Sequence, residues 1–132
     1  MGYKKGLSQL KKFYKFIAAS FIATFAVVGL SGCSAKEPID MSSYAAVIDV
    51  RTPAETSDGH LEGATLFDIQ DGAFMANLAT LDKSANYYVY CRSGNRSGQA
   101  IEIMKQEGFT GELHNGGSLA KAAAETGLAI VN

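Results

Sequence analysis

The chain of 132 residues has no tryptophan and only two cysteines, Cys33 and Cys91. Two cysteines cannot build the framework of a small disulfide-stapled scaffold. No second cysteine lies near Cys91, which excludes a C-x-x-C dithiol oxidoreductase. Long apolar runs are also missing. Ile17 to Leu30 is 14 residues long and is interrupted by Ser20, Thr24 and Gly29, whereas spanning a bilayer takes about 20 apolar residues. Nor is there an excess of charge, since 12 Lys+Arg stand against 13 Asp+Glu for a net of −1. That balance sums two unlike segments. Residues 1–32 hold five lysines and no acid, so residues 33–132 hold seven basic groups against all 13 acids, a net of −6. The longer segment lacks the basic excess that neutralises phosphates, which argues against a nucleic-acid binder. The length suits one domain and not two, since domains run at roughly 100–150 residues, and the chain shows no internal repeat.

A basic stretch, Met1 to Lys15, followed by the short apolar run is the pattern of a secretory signal. The usual small-x-small cleavage site is replaced by Leu30-Ser31-Gly32-Cys33. This tetrapeptide resembles the lipobox of bacterial lipoproteins. The resemblance implies that residues 1–32 are removed and that Cys33 is lipidated and becomes the mature N-terminus. Residues 33–37 are then the lipidated cysteine and a tether, and residues 38–132 the folded domain. Acyl chains contribute about 0.8 kcal/mol per buried CH₂, so several hold a protein firmly at a membrane. The expected location is outside the cytoplasm, lipid-anchored in the cell envelope. Because Ser34 rather than Asp follows the cysteine, the resemblance favours the periplasmic face of an outer membrane where the source has one. An uncleaved anchor with an incidental cysteine is the alternative.

In the domain, strand-like and helix-like segments alternate. Ala46-Val47-Ile48-Asp49-Val50 reads as a buried strand, as does Tyr87-Tyr88-Val89-Tyr90-Cys91 from its aromatic and β-branched content. Leu66 to Ile69 and Glu112 to Asn115 read as short strands. Helical spacing appears at Phe74, Met75, Leu78 and Leu81. It appears again at Ala100, Ile101, Ile103 and Met104, in a segment from Ser97 to Glu107 stopped by Gly108. Leu119 to Glu125 is an Ala-rich helix closed by Gly127. The alternation predicts an α/β domain with a mainly parallel central sheet flanked by helices.

The chemistry concentrates in Cys91-Arg92-Ser93-Gly94-Asn95-Arg96-Ser97, between a strand and a helix. Ligands bind outside the carboxyl ends of parallel strands. A loop entering a helix aims several N–H groups inward, and the helix dipole adds partial positive charge. Gly94 and Asn95 tolerate the backbone angles such a cradle needs. Arg92 and Arg96 add two positive charges near the sulfur. Each feature favours a thiolate, so Cys91 reads as a nucleophile.

The loop resembles the active-site loop of the rhodaneses, the thiosulfate sulfurtransferase family, and single-domain members in particular. Three further segments fit in order: Asp49-Val50-Arg51 with Glu55, Gly59-His60-Leu61-Glu62-Gly63-Ala64, and Gly108-Phe109 with Asn115-Gly116-Gly117. The resemblance implies a rhodanese-like fold over 38–132. It implies a two-step transfer in which Cys91 takes sulfur from thiosulfate as a persulfide and yields it to a thiol or cyanide-like acceptor. No cofactor beyond that covalent intermediate is implied. Arg92, Ser93, Gly94, Asn95, Arg96 and Ser97 are then expected to bind the small anionic donor, the arginines by charge-assisted hydrogen bonds. Two departures stand out. The tryptophan often found after the Gly-Gly is absent, and Ser42 to Ala46 leaves little room for the customary helix before the first strand.

Asp49, Arg51, Glu55 and His60 read as structural support, pairing to satisfy polar groups that burial would otherwise leave costly. Two histidines and one cysteine without ligand spacing do not suggest a metal site. Two other functions fit the same fold. One is a non-enzymatic module that carries or senses sulfur or binds a protein partner. The other is a phosphatase or arsenate reductase, whose C-x5-R loop is one residue longer than the C-x4-R spacing of Cys91 and Arg96.

Overall fold

A computed structural model describes residues 36–132. The signal segment and Cys33 lie outside the described residues, as does the tether up to Ala35.

After a single 3-10 turn at Met41–Ser43, capped by Asp40, ten elements follow. They are β1 (Ala46–Asp49), α1 (Pro53–Ser57), β2 (His60–Leu61), β3 (Thr65–Leu66), α2 (Phe74–Leu78), β4 (Tyr87–Cys91), α3 (Asn95–Gln106), β5 (Leu113–Ser118), α4 (Leu119–Thr126) and β6 (Ile130–Val131). Strands β3-β1-β4-β5 form one sheet in that order. All three pairings in it are parallel, with Ala46 opposite Tyr87 and Tyr87 opposite Leu113. The expected α/β architecture is present. A separate antiparallel ribbon joins β2 to β6, with His60 opposite Val131. Among the described residues no helix is long and apolar enough to cross a membrane.

Every residue of β4 is buried, the condition of a central parallel strand covered on both faces. The pleat divides its side chains between two cores. Tyr87, Val89 and Cys91 join Ile48, Val50, Phe74 and Leu78, with Ala100, Ile101 and Met104 of α3. Tyr88 and Tyr90 pack with Val47, Leu61 and Ala122 of α4 on the other side. Buried phenols need partners, and each has one. Tyr87 donates to the Asp82 carbonyl oxygen at 2.9 Å, Tyr88 donates to Glu125 Oε2 at 2.8 Å, and the Leu61 N–H donates to the Tyr90 oxygen at 2.9 Å.

Several boundaries differ from the sequence expectation. Helix α3 starts at Asn95, two residues before the expected Ser97. Its first turn, Asn-Arg-Ser-Gly, has no apolar face and three weak helix formers in Asn95, Ser97 and Gly98, and bonds from Arg96 to Glu55 and from Ser97 to Asn115 hold it. Strand β3 is only Thr65–Leu66 and α2 ends at Leu78. Conversely, β5 continues past Asn115 to Ser118. It does so by a bulge, since Val89 faces Asn115 while Tyr90 faces Gly117, and Gly116 is the extra residue. The Tyr88 ring occupies the space where a side chain on Gly116 would stand. Substitution of Gly116 by Ala should cost about 1–3 kcal/mol by overpacking. In thermal unfolding that should lower Tm by roughly 4–8 °C per kcal/mol.

Candidate active site

Cys91 is the last residue of β4 and faces Ser118, the last residue of β5. The chain then turns through Gly94, whose φ of +96° lies in the left-handed region that favours glycine. A Cβ there would also come within 3.3 Å of the Gly117 Cα, so the loop and the end of β5 approach backbone to backbone. This turn folds the loop back over the sulfur. The Gly94 N–H donates to Cys91 Sγ at 3.0 Å and Ser97 Oγ donates to it at 3.4 Å. Burial pushes the thiol pKa up, but bonds from the Ser97 hydroxyl and from the N–H groups of Ser97, Ser93 and Gly94 pull it down further, and the net shift is downward. Cys91 and Ser97 are both 0 % exposed, so the sulfur lies under the loop.

Asn115 straps this arrangement to β5. Its Nδ2 donates to the Gly94 carbonyl oxygen at 3.0 Å, and its Oδ1 accepts from Ser97 Oγ at 2.7 Å and from the Gly117 N–H at 3.0 Å. Gly94 and Ser97, both donors to the sulfur, are therefore held by one side chain. The Ser97 hydroxyl has one proton for two acceptors, so Asn115 and the sulfur compete for it.

Arg96 is clamped to Glu55 rather than open in the loop. Its Nη1 donates to Oε2 and its Nη2 to Oε1, both at 2.7 Å. Glu55 also completes the capping box of α1, accepting from the Thr52 N–H while the Thr52 side chain accepts from the Glu55 N–H. The Arg96 bonds, working against burial and helped by Thr52, draw the Glu55 carboxyl down to about 2. The four supporting residues thus divide. Asp49 and Arg51 form a buried pair at 2.7 Å, with Arg51 Nη2 also donating to the Gly59 carbonyl oxygen and its guanidinium 5.6 Å from the Tyr90 ring centroid. His60 Nδ1 bonds the Thr56 carbonyl oxygen at 3.1 Å, as a turn histidine would. Glu55 reaches into the loop instead. Arg92, Ser93 and Asn95 are exposed.

Two open clefts meet at Gly94. One, of about 420 Å³, is lined by Ser93, Gly94, Asn115, Gly117, Ser118 and Lys121. The other, of about 720 Å³, is lined by Gly94, Asn95, Gly98, Gln99, Glu102 and Ile103. Among the described residues no three His, Cys, Asp or Glu side chains gather as metal ligands do. Asn115 and Lys121 are the site residues that sequence reasoning missed. Asn115 carried a signal, since it directly precedes two glycines, while Lys121 reads as one more surface lysine on a helix.

The strand-end thiol, the cradle of N–H groups and the parallel sheet define an α/β domain with a buried, hydrogen-bonded cysteine at the end of its central strand. Residues 34–123 match the model of the rhodanese-like domain family, and the chain belongs to that family. It is 36% identical over 76 residues to a protein of Escherichia coli named thiosulfate sulfurtransferase PspE, covering 58% of this chain and 72% of that one. It is 32% identical over 91 residues to the putative sulfurtransferase YtwF of Bacillus subtilis, covering 69% and 86%. Among solved structures, a rhodanese with anions from E. coli superposes with a TM-score of 0.54 at 31% identity, covering 66% of this chain and 96% of that one.

Substitution of Ser97 by Ala removes the side-chain bond that does most to lower the thiol pKa. The pH profile of Cys91 alkylation by iodoacetamide should have its midpoint below the ordinary cysteine range of about 8.5 in the wild type. In Ser97→Ala the midpoint should move up toward that range.

Proposed function

We propose that this protein is a sulfurtransferase that moves a sulfane sulfur from thiosulfate, or a related anionic donor, to a thiophilic acceptor through a persulfide on Cys91. The observation that carries the reading is the covered Cys91 sulfur receiving the Gly94 N–H at 3.0 Å under a loop that lowers its pKa. The thiolate attacks the outer sulfur of thiosulfate. A bond forms between Sγ and that sulfur, the sulfur–sulfur bond of the donor breaks, and its electron pair leaves with sulfite. In this reading the N–H groups of the loop also stabilise the terminal persulfide anion. An acceptor then takes the outer sulfur and returns the electron pair to Cys91.

The two loop arginines have separate parts in this reading. Arg92, exposed and next to Cys91 in the chain, meets the donor's oxygens. Arg96, held by Glu55, supplies its field and shapes the loop. A phosphatase needs its loop arginine turned onto a tetrahedral oxyanion, and the bidentate bond to Glu55 directs Arg96 elsewhere.

Incubation with thiosulfate should add one sulfur atom to Cys91, seen by mass spectrometry, and release sulfite with turnover once cyanide or a thiol is supplied. Cys91→Ser should lose both. An adduct without turnover would point to a sulfur carrier. No adduct, with Cys91-dependent hydrolysis of p-nitrophenyl phosphate, would overturn the reading.

The segment Leu30-Ser31-Gly32-Cys33 supports a lipid anchor at Cys33 and a place in the cell envelope. Cys33→Ser in the full chain should shift the protein from the membrane fraction to the soluble one and abolish its labelling by a radioactive fatty acid.

A further inference from the structure

The two clefts beside Gly94 differ in charge. Lys121 is the charged side chain lining the smaller one and Glu102 the charged side chain lining the larger. We propose, resting on the persulfide reading above, that the Lys121 cleft receives the sulfur acceptor and selects small thiols that carry a carboxylate near the sulfur.

Lys121 is directed to this place by packing. Its Cδ lies 3.1 Å, and its Nζ 3.7 Å, from the point where a Cβ on Gly117 would stand. Gly117 has a φ of +74° and leaves that space to the lysine stem, which lies along the end of β5. The next residue, Ser118, is the register partner of Cys91, and Lys121 lines one cleft with Ser93 and Gly94 of the loop that covers the sulfur. Ser118 also caps α4, its Oγ accepting the Lys121 N–H at 3.2 Å.

The ammonium is available to a ligand. Its one ion pair among the described residues, to Glu125 Oε1, is 3.4 Å long and half of the lysine side chain is exposed, which makes the pair weak in water. Glu125 does not depend on it, because Glu125 Oε2 accepts from the Tyr88 hydroxyl at 2.8 Å and meets His114 Nε2 at 3.3 Å. The lysine can turn to an incoming anion without leaving a carboxylate unpaired. In the other cleft a carboxylate ligand would face Glu102, which lies at a mostly exposed pair with Lys105.

Size gives the second half of the class. About 420 Å³ lies at the small end of ligand pockets, which run from about 300 to 1,000 Å³. The Cys91 sulfur is covered, so a persulfide extends outward to the Gly94 rim where this cleft begins. The acceptor thiol attacks the outer sulfur there. A new sulfur–sulfur bond forms, the bond from Sγ breaks, and its electron pair returns to Cys91 as thiolate. The acceptor's proton ends on the transferred sulfur, and no external oxidant or reductant is needed.

The test is single-turnover discharge of the full chain preloaded with thiosulfate, followed by mass spectrometry, with 3-mercaptopropionate and with 2-mercaptoethanol. The readout is the ratio of the two rate constants. Lys121→Met should lower that ratio roughly two- to fivefold, the size of an exposed charge pair. Lys121→Arg should keep it, and added salt should lower it in the wild type. An unchanged ratio in Lys121→Met, together with no salt effect on the wild type, overturns the acceptor site while leaving the persulfide intact. Failure of the wild type to load overturns both readings.

Discussion

Strand β4 has no side that faces water, so its three tyrosine hydroxyls and its terminal thiol must all find partners inside the protein. That constraint organises the neighbours on both faces. Asp82 meets Tyr87, Glu125 meets Tyr88, and the backbone of β2 meets Tyr90. A buried phenol without such a partner would cost about 1–3 kcal/mol, so each contact also specifies where a loop or helix must lie. The thiol is the last member of the series. Its partners come from the loop that leaves the strand, and the same burial that would keep a cysteine protonated is overcome by several short donors acting together. In this sense the active loop is the local solution to ending a fully buried strand with a polarisable sulfur.

Parallel pairing then decides what lies around the sulfur. All four strands of the main sheet end on one side, so the connections after β1, β4 and β5 gather there. From β1 come the capping-box glutamate that clamps Arg96 and the Asp49–Arg51 pair that braces Gly59 and Tyr90. From β5 come Asn115, which ties down the loop, and Lys121. A buried pair such as Asp49–Arg51 is weak evidence for stability, since desolvation offsets much of its attraction. Its geometry points to a role in placing the β1 connection, because Arg51 spans from the strand end to the Gly59 carbonyl. The positive charge at the sulfur is also redistributed. Of the two loop arginines one is paired with a carboxylate, and Lys121 of the next helix lines a cleft with Ser93 and Gly94 of the loop.

Much of this was legible in the sequence for identifiable reasons. The central strand announced itself because burial on both faces selects a continuous run of aromatic and β-branched residues. Cys91 stood out because a polar, glycine-bearing loop with two arginines follows that strand directly. The parts that were not legible depend on pairings distant in sequence. Glu55 and Arg96 are separated by 41 positions, and nothing in the local pattern of either says that they meet, so Arg96 read as a free cation. The ribbon between β2 and β6 has two residues in each strand, too few for any periodicity. The bulge at Gly116 lies against the Tyr88 ring, and only the register shows it. The early start of α3 is hidden because its first turn carries the residues of a loop.

A lowered thiol pKa has a consequence that the fold must also meet. Thiolate character and exposure together set how readily a cysteine is oxidised. Hydrogen bonds lower the Cys91 pKa, and Gly94, Ser97 and the strap from Asn115 close over the sulfur. A sulfur so covered admits a compact reagent more readily than a bulky disulfide. No other cysteine lies among the described residues to resolve an intermediate within the domain. The tight cover shields the sulfur from bulky oxidants, while two open clefts meet at Gly94 of the same loop.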